Sequence, residues 1–143
     1  MVNLWLLYAL LSAFFAALVA IFGKIGLKNL DSNSATFFRS VVMTLFLFLV
    51  VFFQGKLKNL AYFFENSKPL LFIILGGIAG ALSWLFYFLA LKATDVSKIV
   101  PIDRLSVVFA LVLAFLFLGE KVNLMTWLGA ILIVVGGIII ALQ

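Results

Sequence analysis

Three uninterrupted runs without a charged residue, 1–23, 69–91 and 122–143, decide most of what this chain can become. A helix that crosses a bilayer needs about 20 mostly apolar residues, and each run is long enough. Two shorter charge-free stretches, 40–55 and 105–119, reach that length only when extended backwards through a charged residue. The expectation is an all-α integral membrane protein with five transmembrane helices, at about 4–22, 35–53, 69–91, 99–118 and 124–142. Of its 143 residues 67% are hydrophobic and 10% charged, so the connections are too short and the whole too apolar for a soluble domain.

The connections carry the expected punctuation. Residues 23–34 are rich in Gly, Lys, Asn, Asp and Ser, and Asp31, Ser32 and Ser34 are candidate N-caps for the second helix. Residues 54–68 form the longest polar segment, and Tyr62, Phe63 and Phe64 within it favour a course along the membrane surface. The first run has no basic segment before it, is too long for a secretory signal and lacks a small-residue cleavage site, so it reads as a retained helix. There is no cysteine and no histidine, which removes disulfide, thiolate and imidazole chemistry and with it most enzyme classes. No metal or cofactor is expected. The net charge of +5 is scattered over loops and helix ends, a pattern that suits a membrane surface and not nucleic acid.

Orientation is weakly encoded. Lys24, Lys28, Arg39, Lys92, Lys98 and Arg104 fall on one side of the membrane, and Lys56, Lys58, Lys68 and Lys121 on the other, six against four. Without the two arginines, which lie just inside helices, the sides tie. Because an excess of Lys and Arg normally fixes the cytoplasmic side, a near tie implies dual topology or an orientation set by a partner. An odd number of spans points the same way. Two five-helix units joined in series have opposite topology, as in inverted-repeat transporters. A single unit, one half of such a transporter, reaches that symmetry as an antiparallel homodimer.

Several segments together then resemble a known family. Ala81-Leu-Ser-Trp-Leu-Phe-Tyr-Phe-Leu-Ala-Leu-Lys-Ala-Thr, Val100-Pro-Ile-Asp-Arg-Leu-Ser-Val-Val-Phe, Phe117-Leu-Gly-Glu-Lys and Trp127-Leu-Gly-Ala-Ile-Leu-Ile-Val-Val-Gly-Gly occur in an order and spacing similar to one EamA domain of the drug/metabolite transporter superfamily. Phe22-Gly-Lys-Ile-Gly-Leu-Lys and Phe37-Phe-Arg fit the same pattern, so the resemblance spans essentially the whole of 1–143. Most relatives carry two such domains in a ten-helix chain. The resemblance implies secondary transport, as an exporter, of a small metabolite across the cytoplasmic membrane of a prokaryote. The partners it implies are lipid, a small-molecule substrate, and a second copy of the chain or a homologous second subunit. A non-transporting membrane subunit and a flippase of a lipid-linked substrate are the alternative readings. No glutamate lies in the first helix, which argues against the cationic-drug antiport of the small multidrug-resistance relatives.

Polar groups within the spans are the candidate machinery, since an ionisable group there is costly unless paired or wetted. Asp103, Arg104, Arg39 and Lys24 gather near one membrane side and are candidates for proton coupling or a gate; the alternative is that Asp103 merely satisfies an arginine while Lys24 and Lys92 snorkel to the headgroups. Pro101 either breaks the fourth helix near its start or occupies its first turn. Trp84 and Tyr87, three apart on one helix face, with Ser83 beside them, either line a substrate site or pack in the core. Gly129 and Gly136, with Gly137 next to them, form a stripe suited to a dimer contact or to packing within the protomer. Glu120 reads as part of the family pattern or as a solvated partner of Lys121.

Overall fold

The computed structural model describes residues 4–65 and 67–142. The described residues are helical or connecting, with no strand among them. Among the described residues five segments are long and apolar enough to cross a membrane: Leu4–Gly26, Ser32–Phe53, Ser67–Ala93, Val96–Leu118 and Leu124–Ala141. They form α1 (Leu4–Gly26), α2 (Ser32–Phe53), α4 (Ser67–Ala93), a divided fourth span made of α5 (Val96–Asp103) and α6 (Ser106–Leu113), and α7 (Leu124–Ala141). A short helix, α3 (Asn59–Glu65), occupies the longest connection, with Tyr62 and Phe64 exposed. Each span buries at most 11% of its most apolar window. Surfaces this apolar and this open can exist only with lipid or another helix against them.

The helix ends follow from their sequences. Asp31 has extended backbone and caps α2, its Oδ2 accepting from the Ser34 N–H at 2.8 Å. Asn123 caps α7 in the same way, its Oδ1 accepting from the Thr126 N–H at 2.8 Å. Both bonds satisfy donors that a helix start leaves orphaned. At the other end of the fourth span the last turn widens into a π-helix, Ala114–Leu118, closed by Gly119 at φ 65°. The Glu120 N–H reaches back to Ala114 O at 3.3 Å. Glycine adopts that left-handed conformation without a Cβ penalty.

The chain divides into two compact units, one formed by α1 up to Ile25 together with the residues from Ala93 onward and the other by Gly26–Lys92. In the first, α5 packs against α7, and α6 also touches α7. Ala20, Ile99, Ala130 and Gly137 are buried among its described residues. The second buries Leu27, Ser32, Thr36, Phe88 and Leu91. Along α2, Thr36, Ser40 and Thr44 each donate a hydroxyl proton to the carbonyl four residues back, at 2.8, 2.9 and 2.9 Å. That is how hydroxyls meet their hydrogen-bonding needs inside hydrocarbon.

Pro101 is the sixth residue of α5, not a first-turn proline. Having no N–H, it leaves Ser97 O without its usual donor. Further along, the Leu105 N–H turns to Ile102 O at 2.9 Å, three residues back instead of four, and the Val107 and Val108 N–H groups do likewise. The span is thereby divided at Arg104–Leu105. The Pro101 carbonyl faces α7: a Cβ built on Gly137 would lie 3.0 Å from Pro101 O.

Candidate functional site

The only arginine of the Gly26–Lys92 unit organises its polar interior. Arg39 is the eighth residue of α2, about 10 Å along the helix axis from its start. Its guanidinium carbon lies 3.7 Å from the centre of the Trp84 ring and 5.7 Å from that of Phe88, both on α4. At the shorter distance the cation rests on the tryptophan face. The ring beneath is itself braced: Trp84 meets Tyr87 edge-on at 5.4 Å and Phe88 at 5.9 Å. Phe88 is buried, whereas Trp84, Tyr87 and Arg39 are half-buried and Ser83 is exposed. The structure thus brings Trp84, Tyr87 and Arg39 into one cluster and leaves Ser83 at its outer edge.

Phe88 is the member that sequence reasoning missed. The signal was present, since it stands four residues after Trp84 and so shares its face. A cation on a tryptophan face is stabilised by the ring quadrupole, by about 2 kcal/mol where water is excluded. This is the physical reason a permanently charged side chain is tolerated two turns into an apolar span.

The remaining charged candidates, Lys24, Asp103 and Arg104, lie in the other unit. The Lys24 ammonium donates to Thr94 O at 2.7 Å, in the unit that contains α1 and α5. Asp103 ends α5 and is exposed, and Arg104 follows at the break, half-buried. Among the described residues these two neighbours form no ion pair with each other. In the Gly26–Lys92 unit, Lys92 donates to Leu30 O at 3.0 Å. Each lysine therefore satisfies a carbonyl in a loop that bends away from a helix end.

Of the glycine stripe, Gly137 is taken up against Pro101, while a Cβ on Gly129 or Gly136 would meet nothing within 4 Å. Gly76, Gly77 and Gly80 on α4 are equally open. Glu120 and Lys121 are exposed in the connection before α7. Among the described residues there is no group of acidic side chains able to hold a metal ion.

Asp31 lies outside the spans. Its carboxyl is held below the ordinary carboxylate value, first by the Ser34 N–H, then by the Ser34 hydroxyl; desolvation opposes this, and Lys92 and the Asn33 N–H add lesser attraction. A depressed folded value means that the cap acts in full above the unfolded value and is lost as pH falls through the folded one. Amide exchange at Ser34, corrected for intrinsic rates, is therefore expected to speed up at acid pH in the native chain. Asp31→Asn, which also caps, should remove that dependence. Equal acid response in both proteins would show that the cap does not govern this turn.

Residues 3–142 match the model of the EamA-like transporter family. A relative from a Sinorhizobium species, described as an uncharacterized transporter in the cobO 3' region, is 41% identical over 137 residues, 96% of each chain. No solved structure matches this chain. Five apolar helices, a match that leaves almost no residue out and a transporter among its relatives lead to one conclusion: this multi-pass membrane protein belongs to the EamA-like transporter family.

Proposed function

We propose that the chain is a secondary transporter that exports a small metabolite by alternating access, working as a dimer of two inversely oriented protomers in the cytoplasmic membrane of a bacterium. The observation that carries this is that a single five-span unit accounts for the whole family match. A relative named as a transporter is itself covered over 96% of its length by the same unit. An odd number of spans gives each copy opposite ends on opposite sides. Two copies inserted in opposite senses create the pseudo-two-fold relation in the membrane plane that lets one site open alternately to each face.

The charged groups support the same reading. Arg39 and the Asp103–Arg104 pair occur once per chain, so an antiparallel dimer presents each at both faces, as matched gates require. The divided fourth span supplies irregular backbone within the membrane, which transporters tolerate where helices or a water-filled path satisfy it. Asp103, exposed at the break, is the acid through which proton coupling would run.

Orientation is the decisive test. Asn29→Cys and Gln54→Cys place exposed, charge-neutral reporters in the first two long connections, and no native cysteine competes. In native membranes each site is expected to react with an impermeant thiol reagent from both sides. Reaction of each site from one side only would mean a fixed topology and would end the homodimer proposal.

A further inference from the structure

Arg39 carries a permanent charge and five N–H donors, and a charge inside a span is costly unless it has a partner. Its partners in the Gly26–Lys92 unit are the ring faces of Trp84 and Phe88. A ring beneath the guanidinium covers one face of that plane. It does not accept from N–H groups that point outward within the plane. In this unit, among the described residues, no oxygen accepts from Arg39 and no carboxylate pairs with it. Asp31, the acid nearest in sequence, is committed to Ser34 and attracted by Lys92.

An aromatic cluster of this kind in a transporter suggests a site for cations. Here the cation on the rings is the protein's own. What remains on offer is a fork of donors, held flat by a tryptophan and two turns deep in the span. Its complement is a planar group with two oxygens and a negative charge, which a guanidinium engages through two parallel hydrogen bonds. The adjoining Trp84, Tyr87 and Phe88 rings suit an apolar body attached to that group. We infer that Arg39, supported by Trp84 and Phe88, binds the carboxylate of a small organic anion. Its role as the substrate site rests on the transport reading, whereas binding itself does not.

Benzoate, a flat carboxylate with an apolar body, is the probe. In a Trp5→Phe, Trp127→Phe background Trp84 is the single tryptophan left, and its emission reports on the ring under Arg39. In maltoside detergent, at constant ionic strength, benzoate is expected to change that emission saturably and benzylammonium is not. Arg39→Gln should weaken the benzoate response about ten-fold or more, and Arg39→Lys, which keeps the charge but loses the fork, by an intermediate factor.

If Arg39→Gln fails to fold, Arg39→Lys and the native side chain still decide the matter. No saturable response of the native site, or an equal response in Arg39→Lys, would overturn the inference. Repetition in phosphatidylcholine nanodiscs separates the two sources of an oxyanion: retained binding supports a soluble carboxylate, and binding abolished by the bilayer would assign Arg39 to a lipid phosphate and overturn it. Counterflow of labelled benzoate in proteoliposomes reads the transport proposal separately. Binding without flux would remove that proposal and leave the carboxylate site standing.

Discussion

Gly137→Leu is expected to destabilise the folded protein by about 3 kcal/mol, at the upper end of what overpacking costs. The reason is geometric. Even a methyl group at this position would lie 3.0 Å from Pro101 O, and the obstacle is backbone, which cannot rotate aside as a side chain does. A leucine must push α5 away from α7, the most extensively packed helix pair in its unit. Between membrane helices that loss is not softened by a hydrophobic drive to re-collapse, because lipid is as apolar as the neighbouring helix. Gly136→Ala is the control, with open space around its Cβ, and it should leave the protomer unchanged or firmer by up to about 1 kcal/mol through helix propensity. Reversible unfolding in mixed micelles measures both. Equal effects of the two substitutions would show that the Pro101–Gly137 contact does not hold α5 to α7. Gly136→Leu separates a further question, since it should weaken association only if this open stripe faces a second copy.

The second large effect is expected at Trp84. Trp84→Ala should cost about 3 kcal/mol, at the low end for deleting a large aromatic because the ring is half-buried. Part of that loss belongs to Arg39 and not to packing. With the ring gone, the guanidinium loses its closest partner inside an apolar span, so the double variant Arg39→Met/Trp84→Ala should be less damaged than the sum of its parts. The expected coupling is about 2 kcal/mol. Additive single effects would mean that Arg39 draws nothing from the tryptophan and that the 3.7 Å approach is incidental.

The five spans were legible because nothing but a bilayer accommodates such runs. The ends were less so. The sequence suggested 4–22 and 69–91, while the helices run Leu4–Gly26 and Ser67–Ala93, since lysines placed in a last turn are compatible with a helix end. The divided fourth span was half legible. Pro101 announced an irregularity, but its place as sixth residue of α5 and the shift to three-residue hydrogen bonding at Leu105 depend on where the helix begins, and that moved to Val96. Which faces meet was not legible at all. In a soluble helix an apolar stripe marks the inward side, whereas these helices are apolar all round, and the pattern does not say that Arg39 turns toward Trp84, 45 residues on. The same blindness covers the glycines. Gly136 and Gly137 are neighbours of one kind in the sequence, and only the packing of α5 on α7 distinguishes the one that cannot be enlarged.

Lys24 and Lys92 hold the carbonyls of Thr94 and Leu30, and this bears on how the chain's insertion can evolve. Both belong to the Lys and Arg set whose distribution biases which way a chain enters the bilayer, yet each is also a structural clasp, so its loss would remove a topology charge and loosen a loop at once. Lys28, exposed and bonded to no carbonyl among the described residues, has no second duty. If insertion is two-way, as proposed above, a lineage drifting to one-way insertion would meet least resistance at such positions, and the two clasping lysines would be the last to change.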